Sequence, residues 1–196
     1  MAFGMVRSVR RLAFLAAVVA VAIVLSESDG GTAATRRASA ASPGSRAAEA
    51  PCSSGGEGTT RVSVKHDVVF GPLVLLGGRR WAAWTPDAFD RHGYKIPVTL
   101  PQGVRATLSV PATLRGRVGL VFTLATQDRV FREGVRGADT SVRFTACPAG
   151  DVPGRTGWPG GLVVDRPRCA TLVVKLANGH SVRRRVPLGR RCPPPG

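Results

Sequence analysis

The sequence predicts an all-β domain, an antiparallel immunoglobulin-like β-sandwich of about seven to nine strands stapled by two disulfides. An N-terminal apolar helix and a flexible linker precede it. Three observations lead there. After residue 51 the apolar residues come in short runs rich in Val, Leu and Thr, separated by Gly, Pro or Asp. No stretch in that part keeps a 3.6-residue period for three turns. All four cysteines, Cys52, Cys147, Cys169 and Cys192, fall in the same 145 residues, enough chain for one ordinary domain. A β-barrel is the alternative, although the inward pattern repeats too irregularly to favour closure.

Residues 1–28 read as a signal peptide or N-terminal membrane anchor, residues 29–51 as a disordered Ser/Ala/Gly linker, and residues 52–196 as the β domain. Arg7, Arg10 and Arg11 precede LAFLAAVVAVAIVL, fourteen residues from Leu12 to Leu25 without a polar side chain. Basic residues before an apolar run hold that end inside and send the remainder across the membrane. As a helix the run reaches about 21 Å, short of a hydrocarbon core of about 30 Å, which favours a cleaved signal over a stable span. Small residues suited to cleavage stand at Ser26 and Ser28, or Gly31 and Ala33, with Glu27 and Asp29 as awkward neighbours. If the segment is retained, residues 12–25 hold the chain in the membrane. Either outcome places the domain outside the cell or on the outer face of the cytoplasmic membrane. The linker has no large apolar side chain to bury and so cannot order itself.

The expected strands are RVSVK (61–65), DVVF (67–70), PLVLLG (72–77), YKIPVTL (94–100), VRATLSV (104–110), VGLVFTL (118–124), TSVRFTAC (140–147), GLVVD (161–165), ATLVVKL (170–176) and HSVRRRV (180–186). Alternation is clearest in VRATLSV, where Val104, Ala106, Leu108 and Val110 share a face against Arg105, Thr107 and Ser109. The last two strands read as a hairpin with the loop Ala177-Asn178-Gly179, Gly179 taking the left-handed position of a type I turn with a G1 bulge. That register sets Leu172 opposite Arg184, Val174 opposite Val182 and Leu176 opposite His180. One face then holds Leu172, Val174, Leu176, Val182 and Val186. A two-residue loop would instead bury Arg183 and Arg185 among leucines. Arg184 breaks the pattern and must reach solvent from an edge or pair with an acid.

An even number of cysteines in the exported part reads as two disulfides. Of the three possible pairings, Cys147–Cys169 with Cys52–Cys192 is favoured: the first closes a glycine-rich loop and the second ties the domain's ends. Structural zinc is set aside because there is no C-x₂-C pair, and His66, His92 and His180 lack metal-ligand spacing. No cofactor is expected.

The formal charge is +16, with 25 arginines against 3 lysines. From Cys52 onward there are 22 basic and 9 acidic residues, so the excess belongs to the domain. Nucleic acid is disfavoured as a partner, because an exported chain lacks access and the arginines are scattered rather than interleaved with aromatics. The expected partners are anionic cell-wall polymer, anionic lipid headgroups or an acidic protein.

Two segments carry candidate binding residues. RRWAAWTPDAFDRHGY, residues 79–94, sets Trp81, Trp84, Phe89 and Tyr94 near Asp87, Asp90 and His92. Aromatic platforms beside acids suit sugar rings; the competing and weightier reading is that these aromatics anchor a crossover to the core. TGWPGGLVVD offers Trp158 as a binding tip, against packing over a disulfide. Ser63, His66 and Asp67 compose a triad on paper only, with no nucleophile elbow around the serine. The expectation is therefore a non-catalytic binding or structural module of the cell envelope. The alternative is an enzyme acting on envelope polymer or carbohydrate through Asp87, Asp90 or His92.

The N-terminal apolar segment, the first cysteine and VVFGPLVLLGGRRWA form one set of motifs. VRFTACPAG…WPGGLVVDRPRCATLVV and the terminal VPLGRRC form another. Through them the span Cys52–Cys192 resembles a group of small, uncharacterised exported proteins of high-GC Gram-positive bacteria. The resemblance implies an exported β-sandwich with paired cysteines, and implies no activity, ligand or catalytic residue.

Overall fold

A computed structural model describes residues 47–58, 61–83, 88, 89, 91, 93–150 and 154–194. The expected N-terminal helix and linker residues 29–46 lie outside the described residues. Among those described, no helix is long and apolar enough to cross a membrane.

The chain is predominantly β, arranged in three sheets. The first orders β1 (Ala47–Ala50), β9 (Ser141–Thr145), β7 (Arg105–Ser109), β12 (Arg168–Leu176) and β13 (Ser181–Leu188). The second orders β2 (Gly56–Gly58), β10 (Arg155–Trp158), β6 (Val98–Pro101), β4 (Leu73–Leu75) and β3 (Val68–Phe70). The third orders β5 (Gly93–Lys95), β11 (Gly161–Val164) and β8 (Val118–Val121). All pairs are antiparallel except β1 with β9. None of the three sheets closes on itself, so the β-barrel alternative is not what forms.

One core takes side chains from all three sheets. Phe144 of β9, Leu108 of β7 and Leu172 of β12 meet Phe70, Leu100 and Trp158 of the second sheet and Leu120 and Leu162 of the third. The alternation read in VRATLSV is present: Ala106, Leu108 and Val110 are buried, while Arg105 is exposed. Strands β8 and β11 of the third sheet are buried on both faces, which explains their unbroken apolar sequences. The far face of that sheet packs Val121 and Val163 against Val130 and Ala138. Gly119 makes that approach possible, since a Cβ there would lie 2.1 Å from the Cβ of Ala138.

Those covering residues belong to α1 (Leu124–Glu133) and the tight turn after it, a helix the hydrophobic pattern does not reveal. Only Thr126 and Val130 are buried along it, too narrow a stripe for a periodicity to register. Its punctuation is regular nonetheless. Thr123 caps the N-terminus by accepting the Thr126 N–H at 3.1 Å, and Gly134 ends the helix at φ +63°.

Three further expectations are corrected. RVSVK is irregular chain and turn, because Asp67 takes the backbone donor of Ser63 at its centre. The Asp67 carboxylate accepts the Ser63 N–H at 2.7 Å and the Gly77 N–H at 2.6 Å. Residues 47–50, expected in the linker, form a strand that pairs with β9, and Ala50 is fully buried. The disulfides are Cys52–Cys147 and Cys169–Cys192, not the favoured pairing. The parallel register of β1 and β9 explains the first, for it sets Ala50 beside Phe144 and brings both following cysteines to the same end of the sheet. The second follows from the chain turning back after β13, where Gly189 bridges to Arg168 beside Cys169.

The final hairpin forms as expected. Leu172 pairs with Arg184 and Val174 with Val182, and the Leu176 N–H reaches the His180 carbonyl at 2.8 Å. Gly179 sits at φ +85°. Arg184 reaches out from the edge strand β13 and donates to the Val69 carbonyl at 3.2 Å.

Candidate functional site

Of the aromatic and acidic segment 79–94, Trp84, Asp87, Asp90 and His92 lie outside the described residues. Trp81 is half-buried against the main core and meets Tyr94 edge-on, with ring centroids 5.9 Å apart. Phe89, at φ +60°, packs on the smaller apolar cluster. Burial raises the Tyr94 phenol above its ordinary value, because phenolate would lose its hydration there. Trp81 and Tyr94 thus join the main core, while Phe89 is only partly buried.

Trp158 is also a core residue. It is 1% exposed, packs on Phe144 at 5.1 Å between ring centroids, and donates its indole N–H to the Pro51 carbonyl at 3.0 Å. Pro51 immediately precedes Cys52, so the ring lies beside the first disulfide and offers no face to a ligand. Cys147 is tied into the same place, its N–H donating to Thr156 Oγ1 at 2.8 Å.

In the triad written on paper from Ser63, His66 and Asp67, the acid is engaged by backbone. Asp67 is buried, and its carboxylate is occupied by the backbone donors of Ser63 and Gly77. His180 is exposed at the final hairpin, remote in sequence from the other two histidines. A second buried carboxylate, Asp139, accepts Thr126 Oγ1 at 2.5 Å and pairs with Arg129 at 2.6 Å. Arg129 also donates to the Gly137 carbonyl at 3.0 Å, so this network pins α1 to the third sheet. Among the described residues no group of three or more metal-ligating side chains converges.

Among the described residues, two depressions bear on function. The larger, about 1040 Å³, is lined by Phe89, Phe122, Leu124 and Pro159, with Glu49 and Lys95 of opposite sign among them. The other, about 750 Å³, surrounds the Cys169–Cys192 bond and is lined by Arg166, Arg168, Arg190 and Arg191, with Pro167 and Pro193. Its charge comes from two places in the sequence. Arg166 and Arg168 stand at the β11–β12 connection, and Arg190 and Arg191 follow β13. Arg168 pairs with the Asp165 carboxylate and is mostly covered, while Arg166, Arg190 and Arg191 are exposed. The tail is held beyond the cysteine as well, by Arg185 donating to the Pro194 carbonyl at 3.3 Å.

Sequence reasoning missed this arginine group because the other cysteine pairing would separate its halves. A usable signal was present: each partner of this disulfide directly follows an arginine, Arg168 before Cys169 and Arg191 before Cys192. Compared with known protein families, with curated proteins and with solved structures, the chain matches none.

Proposed function

We propose that the chain is an exported or membrane-tethered cell-envelope protein whose domain is a non-catalytic binding or structural module drawn to anionic envelope components. In this reading the domain is an immunoglobulin-like β-sandwich, supported by two five-stranded sheets that contribute to one core. The observation that carries the proposal is the excess of 22 basic over 9 acidic residues from Cys52 onward. Exposed Arg105, Arg132, Arg183, Arg190 and Arg191 project that charge from several elements, which raises the local concentration of anions around the domain. Two disulfides and no free cysteine suit an oxidising compartment.

The test is binding of the full-length protein to cell-wall material and to anionic vesicles across a salt series. Binding at low salt that fades as the Debye length falls from about 30 Å to about 8 Å is the expected result. Absence of binding to either surface at low salt overturns the proposal.

A further inference from the structure

We propose that the depression around Cys169–Cys192 is a phosphate-recognition site that takes the phosphodiester groups of a linear, water-borne anionic polymer. This rests on the anion-binding reading above and gives it a place and a chemistry.

Four arginines line one depression, drawn from segments more than twenty positions apart and joined by a bond with a Cα–Cα distance of 5.0 Å. Bringing like charges together is unfavourable, and the covalent link holds them there. Asp165 offsets one of the four through Arg168. Among the described residues, Arg166, Arg190 and Arg191 carry no ion pair, so the depression keeps an uncompensated positive field. Guanidinium presents a planar fork of donors whose spacing matches two oxygens of a phosphate, and several forks on one rim can engage successive groups of a chain. The shape favours a polymer over a bilayer. The site is a hollow walled by prolines and a disulfide, whereas among the described residues the exposed large apolar side chains suited to entering lipid lie elsewhere: Val64 in a turn, Leu124 and Phe131 on α1.

The experiment uses the full-length protein and synthetic poly(glycerol phosphate), with affinity read by titration calorimetry. The variant R166A/R190A/R191A is compared with R105A/R132A/R183A, which removes the same charge from exposed positions elsewhere. The expected result is a loss of about tenfold or more in the first variant and about threefold or less in the second. Equal losses overturn the site and leave the general anion attraction standing. A wild-type protein that binds anionic vesicles at low salt but not the polymer overturns this site and leaves the general anion attraction standing, whereas one that binds neither removes both. Poly-glutamate bound as tightly, and with the same sensitivity to the first variant, overturns the phosphate assignment. Loss in the first variant of binding to phosphatidylglycerol vesicles but not to the polymer overturns the choice of polymer.

Discussion

The two disulfides make the same chemical bond and do different work. Cys52–Cys147 spans 95 positions and joins the end of β1 to the end of β9, beside a buried tryptophan. Cys169–Cys192 spans 23 positions and sits at the surface, lining a depression rimmed by arginines. Closing the longer loop removes more freedom from the unfolded chain, about 4–5 kcal/mol against about 3 kcal/mol on chain-entropy grounds. The first bond is thus worth most to folding. The second holds together a surface that electrostatics alone would spread apart.

The contrast can be broken most directly by C52S/C147S, expected to cost about 4–5 kcal/mol in urea unfolding. Trp158→Ala should follow at about 3–5 kcal/mol, since it empties the core beside that bond and orphans the Pro51 carbonyl. C169S/C192S is expected near 3 kcal/mol and should retain the native sheets by circular dichroism; a cost equal to the first pair would erase the distinction.

A smaller effect in the third sheet provides a reference unconnected with either cross-link. The folded Tyr94 pKa is raised by burial, so as pH climbs the unfolded chain loses its proton first. The stabilisation is complete below the ordinary tyrosine value of about 10 and declines above it. Tyr94 is the sole tyrosine, so ultraviolet titration reads it alone. Its midpoint should lie higher in the native protein than in denaturant, and Tyr94→Phe should flatten the alkaline decline. Smallest of all is Glu49→Ala, which removes an ion pair with Arg143 in which both side chains are more than half exposed. A change within about 0.5 kcal/mol is expected there, although the pair links β1 to β9.

The parts of the fold legible in the sequence are those whose neighbours are close in the chain. The β12–β13 register follows from one glycine and the need to keep Arg183 and Arg185 off the leucine face. The alternation of β7 is equally local. By contrast β2 and β10, reading GEG and RTGW, have little strand propensity; β10 gains its form from β6 alongside it, and β2 in turn from β10. Helix α1 buries too little to announce itself, and β1 is built from alanines small enough to pass for linker. The cysteine pairing was hidden because it depends on the parallel meeting of β1 and β9, a contact between residues more than ninety apart. The arginine site was hidden for the same reason at one remove, being assembled only once Cys169 finds Cys192.

The order of strand and cysteine at the start of the domain also sets how it answers to force. Tension arriving from the N-terminal side enters at Ala47 and travels only the four residues of β1 before it reaches Cys52. There the bond hands it to Cys147, so β2 through β8 and α1 stand off the load path. Peeling β1 from β9 therefore stops after a single strand, and the 94 residues between the two cysteines cannot be drawn out while that bond is intact.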